Sequence, residues 1–339
     1  MTKSFDLLSL YARYSIEHGI PLNSSETAKA FVNDLPGQLN RALSDPRLLH
    51  GQRTEAMFEA LIVALGRYKV MNVEDSGRLH PAGGYRAADF RIVLEDGDQW
   101  LVEVKNIYEA DPWRQSRRLM TPSYLSTLDA YARATGAALK VAAFWARWAM
   151  WTLVSPDRLV DENGYLKLEM CQAIRVNEMA RLGDRIIATR PPIRLRFTAD
   201  ASKPNMISSD GHAQFTIGEV SFLCEDRLLT TPVEKEIAWI FLNFGDWIEK
   251  DVRAIAADGK LEALEFAWMP EEKTNQGFEF VGTLSQMFAR YYALQTIDSG
   301  RIKQIRVEPR PDWFGPLAAD NYASDALPLW RFVLQPANE

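Results

Sequence analysis

Residues 88 to 106, ADFRIVLEDGDQWLVEVKN, constrain the chain more than any other stretch because they alternate twice. Phe90, Ile92 and Leu94 form the apolar half of one period-2 pattern, and Trp100, Val102 and Val104 form the apolar half of the next. Two strands joined by a tight turn are therefore expected, and burial selects their register. A two-residue turn at Asp96-Gly97 sets the apolar row of one strand against the polar row of the other. A three-residue loop over Asp96 to Asp98, with Gly97 free to take a positive φ, brings both apolar rows to one face. That register predicts Asp89 opposite Lys105 and Arg91 opposite Glu103.

The polar positions then need a reason. Asp89 and Glu103 become diagonal neighbours, roughly 7 to 8 Å apart at the backbone, and Lys105 points to the same place. Two carboxylates at that range repel unless a cation lies between them, and oxygen-only ligation of a partly hydrated ion suits Mg²⁺. A metal is the expectation.

Composition narrows the setting. The chain has 339 residues, 47% hydrophobic and 25% charged, which is the balance of a globular protein of one large or two ordinary domains. Its formal charge of −6 argues against a surface that grips nucleic acid all round, while leaving room for local basic patches. Cys171 and Cys224 stand far apart, so neither a disulfide framework nor a zinc site is expected and a reducing cytoplasm fits. The N-terminal stretch has no cleavage-site pattern, and no run is long and apolar enough for a bilayer, so no membrane partner is expected.

Along the chain, residues 1–50 show helical spacing and read as an N-terminal helical segment. A helix follows from Gly51, with Met57, Leu61, Ala64 and Tyr68 on one stripe, Glu55 and Glu59 on another face, and a stop near Gly66. Thr121 as N-cap, Pro122 at the first position and Gly136 past the end mark another helix. A short strand after Gly66, the hairpin, strands ALKVAAFW and MWTLV and a helix over 169–184 give the order α-β-β-β-α-β-β-α, with a last strand near 194–197. Residues 198–213 are small and polar with Pro and Gly, a linker or long loop, and 214–339 read as a C-terminal α+β domain.

Glu55 on a helix, then ADF with Asp89, then VEVK with Glu103 and Lys105, resembles the PD-(D/E)XK nuclease superfamily. The pattern is most similar to its Holliday-junction-resolvase and type IV restriction branches, and covers residues 51–197. The resemblance implies a restriction-endonuclease-like α/β fold, a mixed central sheet flanked by helices, and Mg²⁺- or Mn²⁺-dependent hydrolysis of DNA. It further implies that Asp89 and Glu103 ligate the metal, that Lys105 orients or activates the attacking water, and that Glu55 adds a helix-borne carboxylate. Ala88 stands where a proline is common, and Tyr124 where the following helix often carries Gln or Lys.

Independently of that resemblance, residues 110–150 carry Arg114, Arg117, Arg118, Arg133, Lys140 and Arg147 against Asp111 and Asp129, with Trp113 and Tyr124 interleaved. Arg114, Arg117, Arg118 and Tyr124 are the expected nucleic-acid contacts. Two other classes stay open: a restriction-like domain that binds DNA or scaffolds a complex without cutting, and an effector nuclease activated by a signal. The C-terminal domain is left with recognition, a partner protein or a second protomer as its roles.

Overall fold

The computed structural model describes residues 4–75, 79–80, 82–114, 118–274, 276–319 and 321–337. The chain divides into two compact units, Met1–Arg53 and Thr54–Glu339. In the first unit, α1 (Ser4–His18) and α2 (Ser25–Leu43) pack through Phe31, whose ring lies 5.3 Å from those of Tyr11 and Tyr14. Ser24 caps α2 by accepting the Glu26 N–H.

The division falls within α3 (Pro46–Leu65), which starts earlier than Gly51 because Asp45 accepts the N–H groups of Arg47 and Leu48. Gly66, at φ +73, ends it where expected. The second unit continues with a five-stranded sheet ordered β1 (Val70–Val73), β2 (Phe90–Val93), β3 (Gln99–Ile107), β4 (Ala138–Trp145) and β5 (Met150–Val154). Only β3 and β4 run parallel, joined by α4 (Pro122–Ala134), so the sheet is mixed. Phe90, Ile92, Trp100 and Val102 bury one face beside Met57, Phe58 and Leu61 of α3. Leu101, Ile107 and Val141 bury the other beside Leu128 and Ala132 of α4. A sheet buried on both sides leaves any charge it carries needing a partner.

The hairpin keeps the expected faces and shifts its register by two. Phe90 pairs with Val102 and Ile92 with Trp100, and the Leu94 N–H reaches the Asp98 carbonyl at 2.9 Å, so the loop is Glu95 to Gly97. A three-residue hairpin loop places its left-handed residue last, and Gly97 at φ +98 takes that place rather than the middle one. The ladder ends at Phe90–Val102, and its register points Asp89, one residue earlier, toward Glu103 rather than Lys105.

Beyond β5 the expected helix over 169–184 is broken into α5 (Met170–Arg175) and a 3-10 turn at Met179–Leu182. Asn177 makes the break by accepting the N–H groups of Leu153 and Met179 at 2.8 and 3.1 Å. Then come β6 (Ile186–Thr189), β7 (Ile193–Ala199), β8 (Ile217–Cys224), β9 (Arg227–Leu228) and α6 (Pro232–Phe244). They are followed by β10 (Ile248–Ala257), β11 (Lys260–Met269), β12 (Glu279–Thr283), α7 (Leu284–Thr296), β13 (Ile297–Asp298), β14 (Arg301–Ile302), α8 (Gly315–Ala318) and β15 (Trp330–Phe332).

The sheet order β10-β11-β7-β8-β9 puts β7 between two strands from beyond residue 213, and β6 lies between β12 and β15. One hydrophobic core runs from Met57 to Leu327. In place of a boundary at 198–213 and a separate domain from 214, the polar stretch is a loop within a β7–β8 connection, closed by the Asp200 N–H on the Thr216 carbonyl at 2.8 Å. Local polarity marks a surface loop as readily as a linker. The second unit is thus a mixed α/β body with one mixed sheet and further antiparallel ones.

Candidate active site

Glu103 and Lys105 project from β3 on the face that α4 covers, and Asp89 stands just ahead of β2. The Asp89 carbonyl accepts the Glu74 N–H at 2.9 Å, and its Oδ2 accepts the Val104 N–H at 2.6 Å. Both bonds fix the carboxylate against the neighbouring strands. Glu103 is only 2% exposed. Its Oε1 receives the Lys105 ammonium and, at 2.5 Å, the hydroxyl of Tyr124 from the first turn of α4. Among the described residues no hydrogen bond falls on Glu103 Oε2 or Asp89 Oδ1. A buried carboxylate reached by one ammonium and one hydroxyl keeps a lone-pair face for a further cation.

The electrostatics tie four acids together. Burial, and next the charge of Glu103, hold Asp89 well above the usual carboxylate range. Glu55, half-buried on α3, is raised first by burial and then by Asp75. Asp75 is itself raised by burial and then by Glu103. Burial and Glu103 push the Tyr124 hydroxyl up, so it stays a donor at neutral pH. Beside them Glu74 goes the other way, down to about 2, because Arg91 hydrogen-bonds it and outweighs its burial. Tyr131 of α4 donates to the same Glu74 at 2.7 Å, linking β1, β2 and α4 behind the site. Glu59, one turn after Glu55, pairs instead with Arg306 at 3.2 Å.

A cleft of about 320 Å³ opens over this group, lined by Asp75, Arg86, Asp89, Glu103 and Tyr124 among others. Asp75 and Arg86 are the residues that sequence reasoning missed. Asp75 had a legible signal, since β1 pairs with β2 and Val73 faces Phe90, so the acids after Val73 arrive beside Asp89. Arg86 sits in an aperiodic loop and had none.

The basic segment does not form one patch. Lys140 is buried, its ammonium bonded to both oxygens of Glu178 and to Ser155 at 2.7 Å, so it is withdrawn from any phosphate. Arg133 pairs with Asp129 at 2.8 Å. Arg118 lies over the Tyr165 ring at 3.8 Å, and Arg114 is exposed. Arg117 lies outside the described residues. Tyr124, expected as a nucleic-acid contact, is instead bonded into the carboxylate group.

Among the described residues no three His, Cys, Asp or Glu side chains come together closely enough to hold a metal ion. The donor set available is Asp89 and Glu103, oxygen-only and lining one cleft, with the charges of Glu55 and Asp75 felt beside them. Among those residues, too, no helix is long and apolar enough to cross a membrane. No protein-family model matches the chain, and no curated protein or solved structure matches it.

Proposed function

We propose that the chain is a Mg²⁺-dependent DNA endonuclease whose core, from α3 to β7, is of the restriction-endonuclease-like PD-(D/E)XK type. One observation carries the reading: Asp89, just ahead of β2 and held by the Val104 N–H, lines one cleft with Glu103, whose carboxylate also receives Lys105. The order of α3, β1, β2, β3, α4 and β4 around a mixed sheet supports it.

Asp89 and Glu103 fit a divalent ion because two crowded, partly neutralised carboxylates gain from a cation between them. The ion, when bound, supplies Lewis-acid polarisation of the phosphoryl group and nucleophilic hydroxide at neutral pH. Lys105 holds a fixed positive charge beside the reacting phosphate. Tyr124 keeps Glu103 in one rotamer, and the carboxyls of Glu55 and Asp75, both raised by burial and by neighbouring acids, would gain from the same cation.

The test is nicking of supercoiled plasmid with Mg²⁺, Mn²⁺ or EDTA. Cleavage is expected with either metal and none with EDTA. Glu103→Ala and Lys105→Ala should each lose about a hundredfold or more, the scale for removing a charge-stabilising group. Undiminished cleavage by Lys105→Ala refutes the assignment. A second reading, a non-cutting protein that binds nucleic acid or scaffolds a complex, is favoured by one observation: Glu103 Oε1 is already engaged by both Lys105 and Tyr124. Calorimetry separates the two, since only the first expects Mg²⁺ binding that Glu103→Ala abolishes.

A further inference from the structure

The Tyr124 ring has a cation on either account of its surroundings. The Arg86 guanidinium lies over it at 4.4 Å from the centroid, and the Lys105 ammonium lies 5.3 Å from the same centroid. The hydroxyl of that ring is committed to Glu103. Arg86 is exposed, yet its backbone is tied to α4, its N–H bonding the Thr127 carbonyl at 3.1 Å. It lines the same cleft as Asp89 and Glu103, and among the described residues it makes no ion pair. Two other arginines among the described residues are already paired there: Arg91 with Glu74, and Arg306 with Glu59. A guanidinium pinned by an aromatic face, with its N–H edge left over, is pre-organised for an anion with several oxygens.

We propose that Arg86 is the phosphate-binding residue of the cleft, contacting the phosphodiester beside the scissile one, and that Tyr124 is the positioning residue that sets both Arg86 and Glu103. This rests on the nuclease reading for its substrate, and it divides one side chain into two duties. The ring face orders the residue that binds substrate, and the hydroxyl orders the carboxylate that serves the chemistry. Binding and turnover are therefore separable by mutation within a single residue.

The experiment uses the full chain and a fluorescein-labelled DNA duplex. Anisotropy in EDTA is measured across a salt series, and steady-state cleavage is measured with Mg²⁺. Arg86→Ala should bind about tenfold more weakly, lower the slope of log affinity against log salt by about one, and raise KM far more than it lowers kcat. Arg86→Lys should restore the slope and only part of the affinity, because a lysine keeps the charge and loses the fork. Tyr124→Phe should bind with the parent's affinity and slope yet lose kcat, whereas Tyr124→Leu should lose both. Melting curves close to the parent's are required of each variant, and Arg86, being exposed, allows them.

A parent slope in Arg86→Ala, alongside a parent that nicks plasmid, overturns the Arg86 assignment and leaves the nuclease reading standing. A parent that binds DNA and cuts with no divalent ion sinks the nuclease reading, while the slope still decides for or against Arg86. A parent that does not bind DNA overturns both.

Discussion

Asp89→Asn should make the metal-free protein more stable, and the gain should grow with pH. Continuing the β2–β3 register one step past its last pair, Phe90–Val102, brings the Asp89 and Glu103 side chains roughly 5 Å apart. At an effective dielectric of about 20 the repulsion of two full charges at that distance is about 3 kcal/mol. Desolvation adds to the cost of ionised Asp89. Asparagine keeps an oxygen for the Val104 N–H and forfeits about 1 kcal/mol of charge assistance in that bond. The net gain with Asp89 fully ionised in the parent is therefore about 2 to 3 kcal/mol, or about 5 °C for a cooperative unit of this size.

The sign follows from the raised folded-state pKa. The folded parent binds the proton more tightly than the unfolded chain, so its stability falls as pH rises above about 4, through the raised value. Asparagine does not titrate, and the difference between the two proteins widens over the same interval. Thermal scans in EDTA at pH about 4.5 and about 8.5 measure it. Millimolar Mg²⁺ should stabilise the parent and leave Asp89→Asn nearly unmoved. A variant that melts lower than the parent, or a difference that is flat with pH, refutes the reasoning, because a carboxylate that serves as a structural ion-pair partner behaves in that way.

Two further outcomes test the body around the site. Asp184 is buried, accepts Ser285 through its N–H at 3.0 Å and its hydroxyl at 2.6 Å, and is raised by burial to about 6. It should therefore cost on the order of 3 kcal/mol as pH rises from about 4 to about 6, and Asp184→Asn should flatten that part of the stability curve. An unchanged slope in the variant assigns the effect to other groups. Lys140→Met leaves the half-buried Glu178 without its ammonium and should destabilise by about 3 kcal/mol, with no change in the salt dependence of DNA binding. A slope that drops in the variant returns Lys140 to the phosphate contacts.

The hairpin was legible because its burial pattern is strict: six apolar positions at period 2 leave one choice of face. The register was less so, since two three-residue loops share that face and differ only in where Gly97 sits. The succession of helices and strands from α3 to β5 was legible from caps and apolar runs, whereas the short strand β6 was not anticipated. The break at Asn177 was not, because it depends on a side chain reaching β5, a contact without a local signature. The exposed edge strand β10 has no local signature either. Its residues are acidic and basic by turns, and what makes it a strand is pairing with β11.

Charge counting misled most. Lys140 adds to the positive sum of its segment exactly as Arg114 does, and only burial tells that Glu178 has taken it. Arg86 lies in a stretch without periodicity, where three-dimensional proximity alone assigns it to the site, whereas Asp75 follows a strand whose pairing with β2 carries it there. Within the site, Asp89, Glu103, Lys105 and Glu55 were all singled out in sequence; that Tyr124 belongs beside Glu103 rather than among the basic residues follows from α4 crossing over β3.

The position of β7 between β8 and β11 bears on how the chain tolerates cutting. A protease that severs the polar loop after β7 breaks one covalent link and no ladder, and the two fragments remain joined by strands of both and by a shared apolar core. Such a nicked molecule stays whole until denatured, and neither piece is a self-sufficient module. Deleting everything after residue 199, by contrast, exposes both edges of β7 and strips β6 of β12 and β15 at once. The carboxylate group therefore has no portable minimal version in this chain. Whatever recognises or regulates through the C-terminal half is built into the same body that holds the acids, and a disturbance there is felt as strain in the sheet rather than as the movement of a tethered neighbour.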